Sequence, residues 1–199
     1  MAGPAFRRTA VTCDPAQLAI ARGRDMTQQT TSDATEVRAE VLVKAPIDRA
    51  FAIFTERGDQ WWPRPYRLGK TDRLDLRVEP QVGGRWYERT ADGEECDWGR
   101  VLVWDPPGHV ALSWQIAPGF SPEPDERRSS RIDVRFAPEG PARTVVTLVH
   151  SEFERHGVEW KSMRDGVSGD TGWPGLLQAY AALANAATET DARSRTTSP

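Results

Sequence analysis

Apolar and polar positions alternate or recur along the chain in a way that lays out its elements. Val37, Ala39, Val41 and Val43 alternate with Glu36, Arg38, Glu40 and Leu42, a period of two that predicts a first strand. Ala45-Pro46 stops it, and Ile47, Ala50, Phe51 and Phe54 then recur at helical spacing, predicting a short amphipathic helix that Gly58 breaks. Gln60-Trp61-Trp62-Pro63 predicts a second short helix or turn. Leu74, Leu76 and Val78 mark a second strand, the Gly83-Gly84 pair a turn, and Arg85 to Thr90 a third strand. Asp92-Gly93 is a hairpin signal, and a fourth strand runs from about Glu95 to Trp104, where Asp105-Pro106-Pro107-Gly108 ends it. Val110, Leu112, Trp114 and Ile116 predict a fifth strand, Ile132, Val134 and Phe136 a sixth, and Val146, Leu148 and His150 a seventh.

Trp173, Leu176, Leu177, Tyr180, Leu183, Ala184 and Ala187 fall at steps of three and four, so Gly172 to Ala187 predicts a long helix with one apolar face. Consecutive hairpins make the sheet antiparallel, and only the last helix is long enough to cover its apolar side. Residues 1 to 33 and 188 to 199 lack periodicity and are expected as disordered tails around a domain spanning 34 to 187.

Composition narrows the function classes. Among 199 residues, 26 basic and 29 acidic side chains give a formal net charge of −3, without the basic stripe that neutralises phosphate backbones, so no nucleic-acid partner is expected. No apolar run is long enough to span a bilayer, and the N-terminus lacks the continuous apolar stretch of a secretory signal. Cys13 and Cys96 cannot form a disulfide framework, which suits a cytoplasmic location. The basic residues are nearly all Arg, with Lys only at Lys44, Lys70 and Lys161, the coding bias of a high-GC bacterial genome. Both Met1 and Met26 are candidate starts, a choice that the mass of the native protein decides.

These elements also carry a resemblance. Lys44-Ala45-Pro46-Ile47-Asp48-Arg49-Ala50-Phe51, Gly83-Gly84-Arg85-Trp86, Gly99, Asp105-Pro106-Pro107, Leu112-Ser113-Trp114, Thr147-Leu148-Val149-His150-Ser151 and Gly172-Trp173 occur in the order and spacing of the START-like (SRPBCC) superfamily. Within it, the chain resembles the branch related to the activator of the heat-shock protein 90 ATPase, over roughly residues 35 to 187. The resemblance implies an α+β helix-grip fold: a curved antiparallel sheet of six to seven strands wrapped around a long C-terminal helix, with two short helices after the first strand. It implies a pocket between sheet and helix for a small apolar molecule, lipid-like or polyketide-like, and no cofactor. Other members of the superfamily cyclise aromatic polyketides or act as co-chaperones, so an enzyme and a protein-interaction module, or a homodimer, stay open. The eukaryotic co-chaperone carries a further domain for which this chain has no room, a departure that weighs against direct chaperone activation.

Strand parity turns Trp86, Glu88, Trp114 and His150 toward the helix side, with Glu152 next in the same alternation. Together with Trp173, Leu177 and Tyr180 on the helix, these are the candidate ligand-binding residues. Glu88 and His150 are also the candidate acid and base of a cyclase, and each has a plainer reading, the carboxylate reaching water and the imidazole satisfying a backbone carbonyl. Large aromatic rings fill cores as readily as they line cavities, so the tryptophans allow both readings, and Trp61 and Trp62 are expected to pack the short-helix corner. His109, His150 and His156 lack paired spacing and Cys96 lacks a thiol partner, so no metal site is expected. The polar segments 117–130 and 153–170 are read as surface connections, with a pair of lids over the pocket mouth as the alternative.

Overall fold

A computed structural model describes residues 35–69 and 74–196. The expected N-terminal tail lies outside the described residues. Strand β1 (Val37–Val43) alternates buried and exposed positions along its whole length, as its sequence dictates. Helix α1 (Ile47–Glu56) follows Pro46 and buries Ala50, Phe51, Ile53 and Phe54. A four-residue helix α2 (Gly58–Trp61) and a 3-10 turn at Arg64–Tyr66 form the corner. Next come β2 (Leu74–Val78), β3 (Arg85–Thr90), β4 (Glu95–Asp105) and β5 (His109–Trp114). The two-residue strands β6 (Ile116–Ala117) and β7 (Ser121–Pro122) form a small hairpin of their own. A 3-10 turn at Glu126–Arg128 leads to β8 (Ser130–Pro138) and β9 (Thr144–Ser151). A 3-10 turn at Phe153–His156 then precedes helices α3 (Trp160–Ser168) and α4 (Trp173–Thr196).

Seven strands make one antiparallel sheet in the order β1-β9-β8-β5-β4-β3-β2, so hairpin neighbours stay neighbours and the first strand returns beside the last. The sheet curls around α4, giving the helix-grip fold that the order of elements predicts. Where alternation is strict, the register is simple: Ile132, Val134 and Phe136 of β8 and Val146, Leu148 and His150 of β9 all face the core. In β4 the pairing shifts twice, between Trp86 and Tyr87 against β3 and between Val101 and Val103 against β5. Such bulges change which side chain points inward. Here they bring Trp98, Gly99 and Val101 to buried positions on a strand whose sequence does not alternate cleanly. Gly99 is required at this bend, because a Cβ there would stand 1.9 Å from the Ser113 carbonyl oxygen.

The apolar face of α4 carries Trp173, Leu176, Leu177, Tyr180, Ala181 and Ala184, all buried. The helix is described to Thr196, past Ala187 where the apolar stripe ends. Its head packs tightly on α3: a Cβ at Gly172 would lie 2.2 Å from the Val167 carbonyl oxygen, so only glycine permits the approach. No helix among the described residues is long and apolar enough to cross a membrane.

Candidate ligand pocket

Around the head of α4, between the end of β5, the β6–β7 hairpin and α3, lies a pocket of about 330 Å³. That volume lies at the small end of the range for small-molecule sites. Trp114 and Ile116 form its floor, Trp173, Leu176 and Gly172 its inner wall, and Trp62 and Tyr66 one side. The β6–β7 hairpin contributes Ala117, Pro118, Gly119 and Phe120, and α3 contributes Ser162, Met163, Gly166 and Val167. Both polar segments, 117–130 and 153–170, thus reach the pocket. Apart from Thr171, the only side-chain hydroxyls on its wall are those of Tyr66 and Ser162, and none of the lining residues is charged.

Behind this wall the tryptophans form a continuous aromatic cluster. Trp62 meets Trp86, Trp98 and Trp173 with ring centroids 5.9, 5.2 and 5.9 Å away, and Trp114 meets Trp98 and Trp173 at 5.2 and 5.7 Å. All five pairs are edge-to-face, an arrangement favoured by aromatic quadrupoles. Trp62 fixes its own ring by donating its indole N–H to the Tyr66 carbonyl at 2.9 Å.

The predicted site residues divide into groups. Trp114 and Trp173 line the pocket. Trp86 stacks on Trp98 at 5.5 Å, one layer deeper, beside a void of about 20 Å³. Leu177 and Tyr180 are buried further along α4, outside both linings; the Tyr180 hydroxyl donates to the Ala50 carbonyl at 2.9 Å, and burial raises its pKa. Glu88 is 1% exposed and anchors the loop before β2 by accepting the backbone N–H groups of Leu68 and Gly69 at 2.9 and 3.1 Å. Burial raises its pKa, and the Gly69 and Leu68 amides, Trp98 and Arg67 oppose that shift. The Trp98 indole lies near enough to favour the charged carboxylate, yet Glu88 Oε1 and Trp98 Nε1 miss hydrogen-bond geometry and both stay unpartnered. Glu152 leaves the strand in a left-handed conformation (φ 63°) and pairs with Arg155 at 3.0 Å.

His150 is wholly buried and sits in a polar chain. The Trp173 indole N–H donates to its Nδ1 at 2.9 Å, and its Nε2 lies 2.7 Å from Ser130 Oγ. Ser130 in turn meets His156 Nε2 through its hydroxyl at 2.9 Å and its backbone N–H at 3.1 Å. Burial holds the His150 pKa well below its usual value, with His156 adding to the effect. Burial also lowers His156, to about 4, against the attraction of Glu123. Glu88 and His150 have separate partners, and β4, β5 and β8 lie between their strands, so they do not act on each other directly.

Several contributors escaped sequence reasoning. Ser130 carried a signal, since it extends the β8 alternation of Ile132, Val134 and Phe136 by one step. Trp62, expected at the corner, also reaches the pocket, and Phe120 and Met163 arrive from segments without periodicity. A larger cleft of about 600 Å³ lies elsewhere, between α1, β2 and β3, with Glu56, Asp59, Asp75 and Glu79 on its wall; none of the predicted site residues lines it.

The activator of Hsp90 ATPase homolog 1-like family matches residues 44–179. No curated protein matches the chain. Among solved structures, the anthrahydroquino-γ-pyrone synthase Txn09, determined as a complex, is 39% identical, with 74% of this chain and 95% of that chain covered and a TM-score of 0.54. The self-sacrificing resistance protein CalC from Micromonospora echinospora is 29% identical over 75% of this chain and 94% of its own, with a TM-score of 0.50. Protein NE0264 from Nitrosomonas europaea shares the fold at 16% identity, covering 78% and 97%, with a TM-score of 0.54.

Proposed function

The chain belongs to the activator of Hsp90 ATPase homolog 1-like family, and from that premise we propose that it holds a small, uncharged, largely aromatic molecule between the head of α4 and the sheet. The observation that carries this reading is the wall itself: about 330 Å³ bounded by Trp62, Trp114, Phe120 and Trp173 with no charged side chain. An anion entering such a site would lose its hydration without gaining a charged partner, whereas a flat apolar molecule would exchange water for ring contacts. The 39% identity to a synthase of an anthrahydroquino-γ-pyrone supports a polyketide-like ligand over a lipid-like one.

Native mass spectrometry of the protein purified gently from its own host tests the reading. The expected result is a co-purifying small molecule; a clean apo mass, together with unchanged tryptophan fluorescence across a panel of aromatic and lipid probes, would count against it. The same identity favours a second reading, in which the pocket folds a polyketide-like substrate for ring closure. Turnover of such a substrate distinguishes the two. Full turnover by a Glu88→Gln protein would remove that carboxylate from the chemistry.

A further inference from the structure

The polar chain behind the pocket allows one assignment of its protons. An indole N–H only donates, so the His150 Nδ1 that receives Trp173 at 2.9 Å must be bare. A neutral His150 therefore carries its hydrogen on Nε2 and donates it to Ser130 Oγ. The Ser130 backbone N–H can likewise only donate, so His156 Nε2 is an acceptor. The Ser130 hydroxyl, having accepted from His150, passes its own hydrogen to that same His156 nitrogen. A neutral His156 then holds its hydrogen on Nδ1, which is buried without a partner. Every group in the series is closed to water: Ser130 and His156 are 1% exposed and His150 is 0%.

We propose that His150 is a positioning residue of the pocket and acts through Trp173: its bare Nδ1 selects the rotation of the indole that forms the inner wall, and the Ser130–His156 pair keeps that nitrogen bare. Trp173 is the one side chain shared by the polar chain and the 330 Å³ pocket. Ring packing sets the coarse orientation, because a 180° turn about χ2 would carry the six-membered ring away from Trp62 and Trp114; within that broad χ2 well the hydrogen bond to Nδ1 fixes the final rotation. The opposite tautomer of His150 would set two N–H groups against each other and turn the indole out of place. The consequence for affinity rests on the proposed ligand reading; the consequence for the indole does not.

Three substitutions separate positioning from bulk stability. In His150→Asn, Oδ1 stands where Nδ1 stood and restores the acceptor while losing Ser130. In His150→Gln, the amide reaches Ser130 but leaves the Trp173 N–H bare, and His150→Leu removes both contacts. With 9,10-anthraquinone as the probe, Leu and Gln are expected to weaken binding about tenfold and Asn to recover to within about threefold of the native protein. Nuclear Overhauser contacts from the Trp173 indole ring to Trp62 and Trp114 should keep their pattern in His150→Asn and change in His150→Leu and His150→Gln. An unchanged pattern of Trp173 ring contacts in His150→Leu overturns the proposal whatever the binding shows, as does His150→Asn binding as weakly as His150→Leu. If the native protein binds no aromatic probe while the Trp173 ring contacts follow the expected ranking, the ligand reading falls and the positioning role stands.

Discussion

The two ends of α4 present the same kind of face to the same sheet and meet opposite fates. At the closed end, Tyr180 fits between Phe54 and Trp61, with ring centroids 5.4 and 5.7 Å away, and Phe136 closes on Phe51 and Phe54 at 5.2 and 5.8 Å. At the open end, Trp173 and Leu176 look across about 330 Å³ at α3 and the β6–β7 hairpin. The difference lies in the covering element. Helix α1 buries five residues, whereas α3 buries none and reaches the pocket edge with half-buried Met163 and Val167. Whether an apolar helical position becomes core or pocket wall is decided by what packs over it.

The strongest way to break this comparison is to truncate one side chain in each end's cover. Phe54→Ala should cost about 3–5 kcal/mol, because the surrounding rings cannot collapse into the space it leaves. Met163→Ala, on a helix that buries nothing, should cost less than about 1 kcal/mol. Urea unfolding of both variants measures the contrast, and equal losses would mean that α3 is as much a part of the core as α1.

Acid should act on the open end's foundation. His156 is held at about 4 in the fold, below the ordinary value of 6.5. Between those values the unfolded chain takes up a proton that the native state refuses, so stability is present above pH 6.5, falls as the pH drops toward 4, and levels off below. That window amounts to at most about 3 kcal/mol for His156, and His150 adds in the same direction. Glu88, whose pKa burial raises, acts oppositely and regains stability once its carboxyl is protonated. His156→Gln keeps an acceptor for Ser130 but does not titrate. Its melting temperature should therefore lose less than that of the native protein between pH 7 and 4.5, and parallel losses would place the acid sensitivity elsewhere.

The strands and α4 were legible because burial on one face of a sheet or helix writes its own period into the sequence, as in β1, β8 and β9. The inner face of β4 was not, since two bulges reset its parity, and Trp98, central to the aromatic cluster, passed unnoticed. The pocket was half legible. Trp114 and Trp173 follow from periodicity, but Leu177 and Tyr180 share that periodicity and lie at the end that α1 fills. The hairpin at 116–122 is built on two-residue strands, too short for any repeat to register. His150 could be placed on the inner face, while its partners Ser130 and Trp173 come from other elements that only the tertiary fold brings together.

At the closed end, a smaller change sharpens the contrast. Tyr180→Phe keeps the ring and removes the hydrogen bond to the Ala50 carbonyl, which leaves that acceptor to the helix alone. The expected loss is about 1 kcal/mol in stability with anthraquinone affinity unchanged, because the hydroxyl lies outside the pocket wall. A clear loss of affinity would mean that the pocket extends further along α4 than its lining indicates.

The smallest change in stability should accompany the clearest loss of binding. Val167 is half-buried on α3 and contributes its side chain to the pocket, so in Val167→Phe the added ring has an existing void to enter. Overpacking costs about 1–3 kcal/mol where a core has no room, but here the stability should stay within about 0.5 kcal/mol of the native value. Calorimetric titration with anthraquinone should show at least about tenfold weaker binding, since the space the ligand needs is then taken. A variant that is stable and does not bind fits an open end kept free for a ligand. A variant destabilised by the overpacking cost would show that the space is not available and that α3 is packed as α1 is. Undiminished binding would move the ligand elsewhere, with the cleft between α1, β2 and β3 as the next place to test.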